Sequence, residues 1–317
     1  MSALNNNLLL SLLKVTESAA VSAYSLIGKG EKNNADFLAV EKMRSSLNNI
    51  DMQGTIVIGE GERDKAPMLY IGEKLGNGNG KKLDIAVDPL EGTNILANAG
   101  PNSLSVISIA EYRGFLSAPD VYMEKIAIGF EYPEQIIDLN NTPLQNLKNI
   151  AKAKLCNISD LMVCVLDRSK NKELIAKIRE AGARVCLIQD GDIAAIIKIS
   201  LDKGSGFLDV YMGIGGAPEG VLAAAAMKTI GGQICSKLLF DTDEQKSRGE
   251  RMGIKDFNKH YYLNDLVKND AIFIATGITD GNILNGIKIK NKSIFTYSVA
   301  MNSSTKTIKW ITTQNLA

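Results

Sequence analysis

The feature that most constrains the fold is an alternation of short strand and helix patterns in the second half of the chain. Apolar runs at residues 161–166, 184–188 and 208–212 alternate with helix-like segments at residues 172–181, 193–199 and 219–229. This order is typical of βαβ units, in which helices connect parallel strands and pack on their sheet. The second half is therefore predicted to form a largely parallel sheet covered by helices.

The first half begins with helices and continues with strands. Apolar residues recur at helical spacing over residues 8–27 and stop at Gly28, and a second helical pattern starts near Asp36. Strands are predicted in the first half at residues 55–58, 83–87, 104–110 and 126–129, and the second half adds a strand at 271–276 and a pair of edge strands after Ser293. These patterns predict an α/β protein with an N-terminal α+β domain, residues 1–155, and a C-terminal α/β domain, residues 156–317.

Two of the predicted strands run into loops that combine glycine with acidic side chains. The strand at residues 83–87 is followed by Asp88-Pro-Leu-Glu91-Gly-Thr93, and the strand at 55–58 by Gly59-Glu60-Gly61-Glu62-Arg63-Asp64. Carboxylate oxygens are the ligands that Mg²⁺ and Mn²⁺ prefer. The free amides at the predicted helix start after Glu91 suit a phosphate. If the two strands are parallel neighbours, both loops lie at one edge of the sheet.

Composition and charge exclude several classes of protein. Apolar residues are 45% and charged residues 22%, as in globular domains, and the net charge of +1 gives no field that attracts nucleic acid or an anionic membrane. No run reaches the ~18 apolar residues of a membrane span, and residues 1–7 lack the basic region of a signal peptide. We therefore expect a cytoplasmic protein without nucleic-acid or membrane partners.

Cysteine and histidine offer no recognisable catalytic or zinc motif. The four cysteines are irregularly spaced and His260 is the single histidine, so spacing indicates neither a zinc cluster nor a histidine-dependent triad. The candidate chemistry is left to carboxylates, hydroxyls, lysine and arginine.

Several strings match, in order, those of the class II fructose-1,6-bisphosphatases. Besides the two acidic loops they are Val15-Thr-Glu-Ser-Ala-Ala, Lys32-Asn-Asn-Ala-Asp36, Ala66-Pro-Met-Leu-Tyr-Ile-Gly-Glu73, Ala118-Pro-Asp-Val-Tyr122-Met-Glu-Lys125, Asp190-Gly-Asp192, Gly213-Ile-Gly-Gly-Ala-Pro-Glu219-Gly and Ala275-Thr-Gly-Ile-Thr-Asp-Gly281. From about Val15 to Gly286 the sequence resembles this family of the lithium-sensitive, metal-dependent phosphatases. The resemblance implies their layered α/β sandwich.

The resemblance also implies an activity: hydrolysis of the 1-phosphate of fructose 1,6-bisphosphate to fructose 6-phosphate and phosphate, a step of gluconeogenesis. The expected mechanism uses water activated by Mn²⁺ or Mg²⁺, without a phosphoenzyme, in a homo-oligomer (dimer or tetramer). The implied metal ligands are Asp36, Glu60, Asp88, Glu91 and Glu219, and the implied catalytic residues are Thr93, Glu60 and Asp36. The implied substrate-binding residues are Glu91, Gly92, Thr93, Tyr122, Arg168, Ser169, Lys170, Asp190, Gly191, Asp192 and Gly216.

The sequence departs from the family pattern at Asp167-Arg-Ser-Lys-Asn, where Lys170 offers a point charge in place of a forked guanidinium. On their residues alone, Asp36 and Glu219 also fit helix capping or first-turn acids, and the glycine loops fit ordinary turns. Two other functions remain open. One is a related sugar or inositol phosphatase, including sedoheptulose-1,7-bisphosphatase activity, and the other is a non-catalytic sugar-phosphate-binding regulator.

Overall fold

The computed structural model describes residues 4–61, 67–129, 132–133 and 135–316. The chain divides into two compact units, one of Met1–Ser117 with Val267–Ala317 and one of Ala118–Leu266. This division differs from the predicted boundary near residue 155. The reason is that the C-terminal strands return to the first sheet, whereas residues 122–128 pair with strands of the second.

The helices, in chain order, are α1 (Asn6–Tyr24), α2 (Lys32–Leu47), α3 (Thr93–Ala97), α4 (Pro143–Lys154), α5 (Lys172–Glu180), α6 (Asp192–Asp202), α7 (Ala217–Ile230), α8 (Asp243–Arg251) and α9 (Leu263–Leu266). Short 3-10 turns cover Ile158–Asp160 and Ser169–Asn171. The strands are β1 (Gln53–Ile58), β2 (Lys74–Leu75), β3 (Lys82–Glu91), β4 (Leu104–Glu111), β5 (Tyr122–Ile128), β6 (Met162–Leu166), β7 (Arg184–Ile188), β8 (Val210–Gly216), β9 (Gln233–Leu239), β10 (Tyr261–Tyr262), β11 (Ala271–Gly277), β12 (Lys288–Lys290), β13 (Ser293–Asn302) and β14 (Thr307–Leu316).

The two N-terminal helices confirm the predicted helical patterns. The Asn5 side chain caps α1 by accepting a 3.0 Å hydrogen bond from the Leu8 amide. The apolar stripe of α1, with Leu9 and Leu12 fully buried, packs in the core of the first unit together with α2. Helix α2 begins at Lys32, one turn before the predicted start at Asp36.

The sheet of the first unit has the strand order β12-β13-β11-β4-β3-β1-β2, with β14 added to β13. Strands β1 and β3 are parallel neighbours, as expected if the two acidic loops are to share an edge. The other recorded pairings of this sheet are antiparallel. Because β13 lies between β11 and β14, the prediction of two terminal edge strands is confirmed for β14 and wrong for β13.

The sheet of the second unit has the order β10-β9-β5-β8-β6-β7. Strands β8, β6 and β7 are parallel, and they are the three strands of the predicted βαβ alternation. Strands β5, β9 and β10 add antiparallel pairings, so the sheet is mixed rather than largely parallel. The predicted domain boundary places β5 in the other domain, and the sequence patterns do not predict β9.

Helices cover the second sheet as the alternation predicts. Helix α7 is buried almost all round, with Ala223, Ala224, Ala225 and Ala226 fully inaccessible, because small side chains let it lie close to α6 and the sheet. Among the described residues, none of the helices combines the length and apolar character needed to cross a membrane.

Candidate active site

A bulge in β3 brings two of the predicted metal ligands to one face of the sheet. Asp88 pairs with Val106 and Glu91 with Leu104, so three steps along β3 match two along β4. In a regular strand residues three apart face opposite sides, but the extra residue restores the same side. Pro89, which has no amide to donate, fits this break in the ladder. Carboxylate oxygens of Asp88 and Glu91 accordingly lie within 4.8 Å of each other.

The backbone after Glu91 turns sharply into α3. Gly92 adopts a left-handed conformation with φ of 80°, which glycine tolerates best, and Thr93 is the first residue of the helix. The Ser103 hydroxyl donates a 3.0 Å hydrogen bond to the Glu91 carbonyl. The Gly28 amide donates to the Leu96 carbonyl at 2.9 Å, which ties the loop before α2 to the end of α3. The predicted helix start at Gly92 and Thr93 is confirmed, although α3 is short.

The second acidic loop is fixed by a close backbone approach at Gly59. A Cβ at this position would lie 2.1 Å from the Leu69 carbonyl oxygen, so a side chain does not fit. The Glu60 amide donates to that same carbonyl at 3.1 Å. Ile58 pairs with Ala86 in the parallel register, which delivers Glu60 and Asp88 to the same end of the sheet. Residues 62–66, including the predicted loop residues Glu62, Arg63 and Asp64, lie outside the described part of the chain.

Asp36 lies one turn inside α2, where Glu31 occupies the cap position, so it does not cap the helix. It is half-buried, and burial raises the pKa of its carboxyl above the usual range because desolvation disfavours the charged form. Within the described ranges, no group of three potential metal-ligating side chains with ligand atoms inside 4.8 Å includes Asp36 or Glu60.

The second unit gathers the predicted substrate-binding residues at one edge of its sheet. The loops after the parallel strands β6 and β7 carry residues 168–170 and 190–192, and β8 ends at Gly216. Tyr122 opens β5 opposite Gly216 and is therefore at the same edge. Ligand sites of α/β sheets gather at the carboxyl ends of parallel strands. The sequence-predicted grouping of these residues is therefore compatible with the topology.

Ion pairs organise the basic residues of this edge. Arg168 donates from a terminal guanidinium nitrogen to Asp190 Oδ1 at 3.0 Å, and burial raises the pKa of Asp190 despite the neighbouring cation. Lys170 pairs with Asp241 at 3.0 Å, and its Nζ lies 4.5 Å from the centre of the Tyr122 ring. Asp241 follows β9 and was not among the sequence-predicted site residues.

A buried lysine, also not predicted, lies behind this edge. The Lys125 side chain is fully inaccessible, and its Nζ contacts Asp192 Oδ2 at 2.6 Å and the Gly216 carbonyl at 2.9 Å. The Tyr211 hydroxyl donates to the same Asp192 oxygen at 3.3 Å, and burial raises the pKa of Tyr211 well above its usual value. Lys125 thus joins β5, the start of α6 and the end of β8. The signal in the sequence was a lysine inside an apolar strand.

Glu219 lies in the first turn of α7, three residues after the predicted site residue Gly216, which ends β8 and caps the helix. A Cβ at Gly216 would lie 2.0 Å from a Glu219 carboxylate oxygen, so the glycine leaves the space that this side chain occupies. Buried Asn171 also fixes this region, because its amide donates to the carbonyls of Leu166 at 2.9 Å and Ile214 at 3.1 Å. Sequence reasoning did not identify Asn171.

Comparisons with known proteins agree with the resemblance. The family model described as bacterial fructose-1,6-bisphosphatase, glpX-encoded, matches residues 6–315. A protein of Trichodesmium erythraeum named D-fructose 1,6-bisphosphatase class 2/sedoheptulose 1,7-bisphosphatase is 40% identical over 99% of this chain and 97% of its own length. A protein of Synechococcus elongatus with the same name is 40% identical over 97% of this chain and 95% of its own length.

A solved structure of inositol monophosphatase from Anabaena (Nostoc) sp. PCC 7120 aligns with 65% of this chain and 73% of its own, at 13% identity and a TM-score of 0.33. The two sequence comparisons span nearly the whole chain and agree with each other. The chain belongs to the family of bacterial, glpX-encoded fructose-1,6-bisphosphatases.

Proposed function

We propose that this protein hydrolyses the 1-phosphate of fructose 1,6-bisphosphate with the help of Mn²⁺ or Mg²⁺. The observation that carries the proposal is the pair Asp88 and Glu91, set on one face of the sheet by the β3 bulge and followed directly by Gly92 and Thr93. Family membership supports the reaction class and the substrate.

The acidic residues fit hard divalent cations. Carboxylate oxygens of Asp88 and Glu91 lie within 4.8 Å of each other, close enough to ligate one ion. Asp36, Glu60 and Glu219 complete the proposed ligand set. All five donors are oxygens, which Mn²⁺ and Mg²⁺ prefer over softer ligands. Bound cations would supply Lewis-acid polarisation of the phosphate and a lowered pKa of the attacking water.

The chain's own groups would orient the reaction. We assign to the Thr93 hydroxyl the positioning of the attacking water, since it stands at the start of α3 next to the acidic loop. Asp36 or Glu60 would accept the proton, because a hydroxyl needs a basic neighbour for this task.

The second unit would recognise the rest of the substrate. Arg168 and Lys170 are proposed to hold the distal phosphate through charge-assisted hydrogen bonds, and Tyr122, Ser169 and Gly191 line the same edge. Asp190 would accept hydrogen bonds from sugar hydroxyls. The carboxylate of Asp192 is 4% exposed and held by Lys125, which favours a supporting role behind the substrate.

Sedoheptulose 1,7-bisphosphate is a second proposed substrate, because the similar proteins carry both activities in their names. The test is phosphate release from fructose 1,6-bisphosphate, sedoheptulose 1,7-bisphosphate, fructose 6-phosphate and an inositol monophosphate, each with Mn²⁺ and with Mg²⁺. We expect turnover of the bisphosphates and little release from the monophosphates. Preferential hydrolysis of the inositol phosphate would contradict the proposed substrate class.

A further inference from the structure

Three side chains of types that bind zinc meet in the second unit, away from the edge that carries the candidate substrate residues. They are Asp138, Cys235 and His260, and each offers a ligand atom within 4.8 Å of the other two. Cys235 lies near the start of β9, whereas the candidate site lies beyond the last residue of that strand, Leu239. Neither the proposed reaction nor its proposed metal ligands use this cluster.

Hydrogen bonds and strand pairing hold all three residues in place. Tyr262 pairs with Cys235 in the β10–β9 ladder, so His260, two residues before Tyr262, is delivered beside β9. The side chain of Asn146, itself 4% exposed, clamps the backbone of Asp138, accepting from its amide at 3.0 Å and donating to its carbonyl at 2.8 Å. The cluster is therefore built from fixed backbone segments rather than from mobile surface side chains.

The distance between the His260 and Asp138 side chains fits two ligands of one metal ion better than a direct hydrogen bond. His260 Nδ1 and Asp138 Oδ1 are 3.6 Å apart, beyond the range of a hydrogen bond. Zinc bonds to nitrogen and oxygen of about 2.0 to 2.2 Å place two tetrahedral ligands about 3.4 Å apart. The observed separation is close to that value.

The donor set also selects the type of metal. One sulfur, one imidazole nitrogen and one carboxylate oxygen form the mixed soft and hard environment that zinc accepts and that Mg²⁺ and Ca²⁺ do not. Cys235 is fully buried, while the His260 and Asp138 side chains are 17% and 35% exposed, so a cation can enter from their side. Three protein ligands leave one position for water.

We propose that Asp138, Cys235 and His260 form a zinc site that is separate from the carboxylate site of the phosphatase reaction. The bound ion would clip the loop around Asp138 to the β9–β10 hairpin. Because a cysteine ligand binds as the thiolate, loading the site would release its proton to solvent.

The first test is cobalt spectroscopy on the full chain, because Co²⁺ replaces zinc and a thiolate ligand gives a sulfur-to-cobalt charge-transfer band in the near ultraviolet. Saturating Mn²⁺ is added beforehand to occupy the oxygen ligands elsewhere. We expect the band in the wild type and in Cys186→Ser, the matched control in strand β7 of the same sheet, and no band in Cys235→Ser. Absence of the band from the wild type, or its persistence in Cys235→Ser, would overturn the proposal.

The second test does not depend on replacing a buried side chain. His260→Gln should weaken zinc binding by at least about tenfold, the loss typical of a removed metal partner, measured by competition with a chromophoric chelator. Zinc should also raise the unfolding temperature of the wild type more than that of His260→Gln. Equal zinc affinity in the two proteins would refute His260 as a ligand and with it the site.

Discussion

Replacing Lys125 by methionine removes the cation from the interior of the second unit while keeping most of the side-chain volume. The Lys125 and Asp192 side chains are 0% and 4% exposed and their charged atoms are 2.6 Å apart. After the change, Asp192 would retain the Tyr211 hydroxyl at 3.3 Å but no counter-charge. Breaking a buried pair by removing one partner typically costs about 3 to 5 kcal/mol.

This cost can be measured by urea unfolding of the transition that includes the second unit. With a slope of about 2 kcal/mol per molar urea, the midpoint should fall by about 1.5 to 2.5 M. The additional change Asp192→Asn should recover a large part of the loss, because no unpaired charge is then left buried. Lys177→Met is the matched control, since Lys177 and Glu173 form an exposed pair at 2.7 Å and its loss should hardly move the midpoint.

A midpoint shift for Lys125→Met as small as that of Lys177→Met would refute the reasoning. So would a double variant that is no more stable than Lys125→Met alone. Either result would show that Lys125 does not neutralise a buried charge behind the substrate edge.

Two further predictions concern the proposed site. Thr93→Ala should lower kcat by about 10² to 10⁴-fold with little change in KM, because a water-orienting hydroxyl acts mainly in the transition state. The control Thr93→Ser keeps the hydroxyl and should retain most activity. If steady-state kinetics of Thr93→Ala showed a raised KM at unchanged kcat, Thr93 would be a binding residue only. Arg168→Ala should lower kcat/KM for fructose 1,6-bisphosphate by about 10 to 150-fold, which corresponds to the about 1.5 to 3 kcal/mol of a charged hydrogen bond. The same change should hardly lower kcat/KM for a substrate without the distal phosphate, and Arg179→Ala, at the far end of α5, is the control. Equal losses on both substrates would argue against phosphate recognition by Arg168.

Local patterns predicted most of the elements. The pattern of apolar residues predicts α1 and α2, which each bury a stripe of side chains, and the alternating elements of the second unit, where β6 is a continuous buried apolar run. The division into units was missed, since it depends on β11 to β14 returning to the first sheet over a long sequence separation. Strand β9 is not predicted either, because the polar residues Gln233, Ser236 and Lys237 interrupt its apolar run.

The site was predicted unevenly for similar reasons. Asp88, Glu91 and Thr93 stand close together in the chain, so their spacing alone indicated a metal and phosphate loop. The bulge that aligns Asp88 with Glu91 depends on the register against β4 and is visible only in the structure. The ion pair of Lys125 could not be predicted from the sequence, because it depends on β5, the start of α6 and the end of β8 packing together.

The Asp138, Cys235 and His260 cluster could not be predicted from the spacing of residues in the sequence either. Its residues come from three distant segments, so no motif of regular spacing could reveal it. The irregular spacing of the cysteines and the single histidine predict no zinc site, because a spacing motif involves ligands that are near each other in the chain.

The most direct test of the central claim is phosphate release from fructose 1,6-bisphosphate by the wild type, Asp88→Asn and Glu111→Gln, each with Mn²⁺ and with excess chelator. Glu111 is the matched control, an exposed acid at the opposite end of the β3–β4 pair. The account predicts activity with Mn²⁺ in the wild type and Glu111→Gln, none in chelator, and a loss of several orders of magnitude in Asp88→Asn, because a neutral amide does not balance the charge of the cation. Full turnover in chelator, or an Asp88→Asn variant as active as Glu111→Gln, would contradict it.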